Sequence, residues 1–275
     1  MLPGWPDKTG RGRGILLIKL IASDMDGTLI RQRGMPLDPV VYELIDRFAE
    51  KGVLFAAASG RQYQSLLQLF APVRDKMAFI CENGGFTCWE GQEEAIYMPR
   101  EDVWQIMREI LEIDFCDVLL SGEKCCYISP RTREYGDWII YHLKNITGVV
   151  DDLFSVPGEF VKVSAYAKGR AAEIAPPLQE RWGKKYHVAI AGDRWVDISL
   201  ADKGMALQKL RTHLGLQREE VLAFGDNFND IQMLAEAGYG YAMAASDPQV
   251  KACCGYTCER VEDILQKLLE TGLPV

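Results

Sequence analysis

The chain lacks a basic charge excess, a long apolar run and any regular cysteine spacing, and each absence removes a class of function. Its 275 residues carry a net charge of −8 with a pI near 5.1, which leaves no positive footprint for nucleic acid. No apolar stretch approaches the roughly 20 residues of a membrane-spanning helix, and no basic amphipathic run points to a lipid surface. Residues 1–14 are rich in glycine, proline and basic side chains without a hydrophobic centre, so they read as a loose tail rather than a targeting segment. The eight cysteines (Cys81, Cys88, Cys116, Cys125, Cys126, Cys253, Cys254 and Cys258) show no zinc-ribbon spacing. Cys253, Cys254 and Cys258 cluster, but no fourth ligand accompanies them. Buried or idle thiols in a reducing cytosol are the expectation. What remains is a soluble, cytoplasmic protein that acts on small molecules and needs neither nucleic acid nor membrane.

What the chain does have is enough apolar material, 48% of residues, for two modest cores. Leu16 to Ala22, interrupted only by Lys19, reads as a strand buried on both faces. Asp38-Pro39 starts a helix with a capping carboxylate and a proline in the first turn; Val40, Val41, Leu44, Ile45 and Phe48 form its stripe and Gly52 ends it. A strand over Val53 to Ala58, a helix over Tyr63 to Phe70 and a strand over Met77 to Cys81 follow. Alternating strands and helices with short joints predict a doubly wound parallel sheet, the α/β class. From Phe86 short hairpin strands and aromatic helices replace that rhythm. The expectation is an α+β domain over 86–190 inserted into a core made of 15–85 and 191–275, with Gly84-Gly85 as its entry and Ala191 to Leu200 as the return. Pro176-Pro177 marks a break in a would-be helix. Strands at Val221 to Phe224 and Tyr239 to Ala244 and a helix at Val261 to Leu269 complete the core.

Polar groups gather where such strands end. Asp24 and Asp26 follow the first strand, Ser59, Gly60 and Arg61 the second, Asn83 the third and Asp226 a later one, with Asn229 and Asp230 beside it. Ligands of doubly wound sheets lie beyond the carboxyl ends of the strands, so these residues face one crevice. Asp24 and Asp26, two apart in extended chain, project to the same side and repel unless a cation or a shared proton intervenes. Gly27 admits a close backbone approach. Lys203, in the first turn of a helix capped by Asp202, opposes the helix dipole and implies a neighbouring anion. Two carboxylates, a backbone carbonyl and water suit Mg2+, and a phosphate ester needs donors and cations around its oxygens.

The string Asp24-Met25-Asp26-Gly27-Thr28-Leu29 resembles the first motif of the haloacid dehalogenase-like (HAD) phosphatases. Ser59 is similar to their second motif, Lys203 to the third, and Gly225-Asp226 with Asn229-Asp230 to the fourth. The order, with a large insertion between the second and third, resembles the Cof-type branch and its α/β cap. The resemblance implies a Rossmann-like core and a magnesium-dependent phosphatase acting on small phosphate esters such as sugar phosphates. It implies Asp24 as nucleophile and Asp26 as acid and base; Asp24, the carbonyl of Asp26 and Asp226 as metal ligands, with Asp230 supporting them; and Ser59, Lys203 and Asn229 as phosphate ligands. Gly60, Arg61 and Asn83 are candidate substrate contacts, and Arg61, Arg100, Lys162 and Lys168 are the basic residues from which cap contacts could come. Burial is expected to hold Asp26 in its acid form. Departures from the family pattern, such as Asp197-Ile198 where Glu-Ile is common, leave the substrate open. A phosphosugar mutase, a phospho-accepting receiver module and a silent sugar-phosphate binder are the alternatives.

Overall fold

The computed structural model describes residues 17–31, 35–142 and 145–272. The expected tail at 1–14, Leu16 of the first strand and Leu143 of a cap helix lie outside the described residues. Strands apolar on both faces need helices on both sides of the sheet, and the chain supplies them. Strand β1 (Leu20–Ser23) leads to helix α1 (Pro39–Glu50), β2 (Leu54–Ala58), α2 (Tyr63–Leu69) and β3 (Met77–Cys81). Helix α1 starts as its sequence prescribes: the Asp38 side chain accepts a hydrogen bond from the Val40 N–H, Pro39 opens the first turn, and Val41, Leu44, Ile45 and Phe48 are buried.

Two further strands, β4 (Phe86–Trp89) and β5 (Gln92–Ala95), extend this same sheet as an antiparallel hairpin on β3. They were expected to open the inserted domain. Their place in the core corrects the entry boundary: the chain crosses over after Ala95, and Gly84 packs against the returning chain, where a Cβ would stand 2.3 Å from the Asp202 carbonyl oxygen. Alternation alone does not say which sheet a hairpin joins; its length and its neighbour β3 decided that here.

The inserted unit runs α3 (Arg100–Leu111), β6 (Asp117–Ser121), β7 (Cys126–Ile128), α4 (Arg133–Asp137), β8 (Thr147–Val149), β9 (Lys162–Tyr166), α5 (Ala171–Trp182), β10 (His187–Ala191) and β11 (Trp195–Ser199). Its six strands form a second sheet in the order β10-β11-β9-β6-β7-β8. The stretch Ala191 to Leu200, expected to belong to the core, therefore supplies a central cap strand, because β11 pairs on both sides, with β10 and β9. Helix α5 also departs from expectation, running straight through Pro176 and Pro177. The prolines cannot donate to the carbonyls of Ala172 and Glu173, at a cost of ~3 kcal/mol for an interior proline. Burial of Ile174, Ala175, Leu178 and Trp182 against the cap sheet opposes that cost.

The core resumes with α6 (Lys203–His213), β12 (Val221–Gly225), α7 (Ile231–Glu236), β13 (Tyr239–Met243), α8 (Pro248–Lys251), β14 (Tyr256–Cys258) and α9 (Val261–Thr271). The completed sheet has the order β14-β13-β12-β1-β2-β3-β4-β5. Its first six strands are parallel. One apolar layer packs its face under α1 and α9, the other under α6 and α7. All eight cysteines are free thiols. Among the described residues no helix is long and apolar enough to cross a membrane.

Candidate active site

Strand register brings the acidic residues together. Ser23 stands opposite Phe224 on one side and Ala57 on the other, so Asp24, Ser59 and Asp226 emerge side by side from the carboxyl ends of three adjacent strands. Lys203, first residue of α6, reaches under them: its Nζ lies 2.6 Å from Asp24 Oδ1 and 2.7 Å from Asp230 Oδ1. It is fully buried. The other oxygen of Asp230 accepts hydrogen bonds of 3.0 Å from the N–H groups of Asp226 and Asn227, and the Thr28 hydroxyl donates to Asp226 Oδ1 at 3.2 Å. Gly27, at φ +101°, is the close approach: a Cβ there would sit 2.2 Å from Asp226 Oδ2.

Oxygens of Asp24, Asp226 and Asp230 lie within 4.8 Å of one another. One ammonium cannot neutralise three carboxylates. Burial pushes the Asp24 carboxyl up from its ordinary range, with Lys203 pulling it down and Asp230 and Asp226 pushing it further up. Burial and the neighbouring Asp230 raise Asp226 to about 6. Lys203 stays charged, because Asp230 and Asp24 outweigh the burial that opposes its ammonium. A compact all-oxygen set with surplus negative charge is the donor chemistry that a small, hard divalent cation requires, so these residues fit a magnesium ion. Asp230, with both oxygens already engaged, is better placed to orient its neighbours than to ligate.

Asp26 corrects one expectation. Its side chain is 40% exposed rather than buried, and the Arg61 guanidinium grips it through two hydrogen bonds of 2.7 and 2.6 Å. Ser59 is buried, its Oγ accepting the Arg61 N–H at 3.2 Å. Asn83 occupies a left-handed conformation (φ 55°, ψ 34°), one that asparagine tolerates. Its Oδ1 accepts from Asn229 at 3.1 Å and its Nδ2 donates to Asp197 at 2.6 Å.

The Asn83–Asp197 bond crosses from core to cap, and the cap sheet explains why. Along β9 and β11, Val163, Ala165, Val196 and Ile198 turn into the cap core. Lys162, Ser164, Asp197 and Ser199, on the alternate positions, form a polar face that is nonetheless buried. Lys162 Nζ stands 2.7 Å from Glu82, 3.5 Å from Asp197 and 2.9 Å from the Gly60 carbonyl oxygen it bonds. Burial works against the Lys162 ammonium, yet Asp197 and Glu82 hold its pKa above the ordinary value. Lys162 is thus a tie between the two units. Arg100 bonds the Val156 and Gly158 carbonyls and Lys168 pairs with Glu134 on the surface, so neither reaches the site. Glu82 and Asp197 were not singled out for this role; a charged residue set between Val196 and Ile198 in a strand was the available signal.

A profile of haloacid dehalogenase-like hydrolases matches residues 21–265. The chain is 26% identical over 274 residues to the 5-amino-6-(5-phospho-D-ribitylamino)uracil phosphatase YbjI of Escherichia coli, covering 94% of this chain and 98% of that one. It is 27% identical over 247 residues to the pyridoxal phosphate phosphatase YbhA of the same organism, covering 85% and 90%. The crystal structure of a Streptococcus mutans protein superposes with a TM-score of 0.84 at 27% identity, covering 92% of this chain and all of that one, 100%.

The Lys162 tie yields a direct expectation. Lys162→Met leaves Glu82 and Asp197 facing each other in a buried site, which is expected to cost about 3–5 kcal/mol in a denaturant titration, with partial recovery when Glu82→Gln is added. Unchanged stability in the single variant contradicts the buried tie.

Proposed function

The chain belongs to the haloacid dehalogenase-like hydrolase family, in its Cof-type branch, and from that premise we propose that it is a phosphatase hydrolysing small phosphate monoesters through a phosphoryl group carried on Asp24. The observation that supports the reading best is the buried Lys203 ammonium lodged between Asp24 and Asp230, with Asp226 close by. Relatives whose names specify phosphatases of two different metabolites support the reaction class rather than any one substrate.

In this reading Ser59, Lys203 and Asn229 hold the phosphate oxygens, and an Asp24 oxygen attacks phosphorus opposite the ester oxygen. The new P–O bond forms as the bond to the alcohol breaks. Asp26 gives its proton to the departing oxygen, then takes one from the water that cleaves the aspartyl-phosphate. To give a proton it must first be released by Arg61, whose planar guanidinium is then free for a phosphate oxygen. Asp24, Asp226 and the Asp26 carbonyl would hold magnesium, with Asp230 orienting them; when bound, the ion supplies charge neutralisation around the phosphate.

Release of inorganic phosphate from a panel of esters tests the reaction and separates it from a mutase, which would keep the phosphoryl group on sugar. Asp24→Asn is expected to abolish release from every ester. Asp26→Asn is expected to lower kcat about 10²–10⁴-fold for sugar phosphates and far less for p-nitrophenyl phosphate, whose leaving group needs no proton. Full activity of the first variant, or equal losses of the second on both esters, contradicts these roles. Magnesium binding carries a second expectation. Asp226, held near pH 6, is ionised above that value and protonated below it. Calorimetric affinity should therefore fall as pH drops through that value, by up to about tenfold per unit; an affinity independent of pH there contradicts Asp226 as ligand.

A further inference from the structure

A groove of about 520 Å³ opens beside the site, and apart from Asn229 its lining takes no part in the steps above. It starts at Asn83 and Asn229 and follows the edge strand β10 to the flank of α5. Its near end adjoins the charged cluster directly: Asn229 precedes the buried Asp230, and Asp202, which also lines it, caps the helix that begins with Lys203. We propose that this groove receives the alcohol half of the ester, and that it takes an uncharged alcohol rich in O–H or N–H donors while rejecting one that carries a second phosphate or a carboxylate. The inference rests on the phosphatase reading and adds the substrate class to it.

Charge is the first argument. Among the described residues no lysine or arginine lines the groove, and two side chains that do, Asp197 and Asp202, are acidic. The basic side chain that does line it, His187, faces Asp202 with Nδ1 3.3 Å from Oδ2. Lys162, the nearest cation of the cap's polar face, is spent on Glu82, Asp197 and the Gly60 carbonyl. An anionic leaving group would meet like charges with no counterion, the arrangement by which a site excludes a wrong ligand.

Acceptors are the second. Ala172 and Pro176 both line the groove, one helical turn apart on α5. Pro176 has no N–H to donate to the Ala172 carbonyl, so the usual helical bond is missing on that wall. The amides of Gln179 and Gln232 add donors and acceptors without charge.

The test uses two esters of equal chain length, sorbitol 6-phosphate and 6-phosphogluconate, which differ at the far end by a hydroxymethyl group against a carboxylate. p-Nitrophenyl phosphate serves as the reference, all in magnesium-containing buffer with the full chain. The expected result is a kcat/KM at least about tenfold higher for sorbitol 6-phosphate. Ala189→Lys on β10 and Gln179→Lys on α5, each placing a cation in the groove, should shrink or invert that ratio, with measurable p-nitrophenyl phosphate hydrolysis showing that each variant is folded. A wild-type ratio near one, or a ratio that neither lysine moves, overturns the inference while phosphatase activity stands. Failure to hydrolyse any of the three esters removes the phosphatase reading itself, and this inference with it.

Discussion

Three carboxylates and one ammonium crowd together, Asp226 partly buried and Asp24, Asp230 and Lys203 buried, and the rest of the structure is arranged to make that possible. Lys203 sits at the first position of α6, where the helix dipole disfavours a cation, and is fully buried, where solvation is lost. It is held there by Asp24 and Asp230, carboxylates from distant parts of the chain. Their mutual repulsion is relieved only in part by one positive charge. A site with residual negative charge and oxygen donors is prepared for a divalent cation and a phosphate together, since each offsets the charge of the other.

The fold delivers these groups through the register of three neighbouring parallel strands, and the cap adds a second buried charge network above them. Glu82 and Asn83 of the core meet Lys162 and Asp197 of the cap, so the polar face of the cap sheet is satisfied by the core rather than by water. Asn83 joins the two networks, bonding Asn229 on one side and Asp197 on the other. Two hydrogen bonds thus link the cap to the residue next to Asp230.

Local chemistry made much of this legible in the sequence. The Asp38-Pro39 start, the doubly apolar strands and the Asp202 cap follow from short-range rules, and the structure places them accordingly; the gathering of Asp24, Ser59 and Asp226 follows from their places at the ends of parallel strands. What was not legible depended on long-range partners. Whether Phe86 to Ala95 pairs with the core or opens the cap is decided by β3, and whether Trp195 to Ser199 leaves the cap is decided by β9 and β10. The prolines of α5 break a local rule because buried Leu178 and Trp182 override it. Asp26 is exposed because an arginine 35 residues away holds it at the surface, a partnership that spacing cannot show.

The claim on which the account turns is that Asp24, steadied by Lys203, becomes the temporary carrier of the phosphoryl group. Rapid mixing of the protein with a readily cleaved ester, acid quenching within a turnover and mass spectrometry of the peptide that contains Asp24 address it directly. The account predicts a transient phosphoryl adduct on Asp24 that appears before free phosphate and is absent from Asp24→Asn. Free phosphate released at full rate with no adduct on that residue at any time would contradict it.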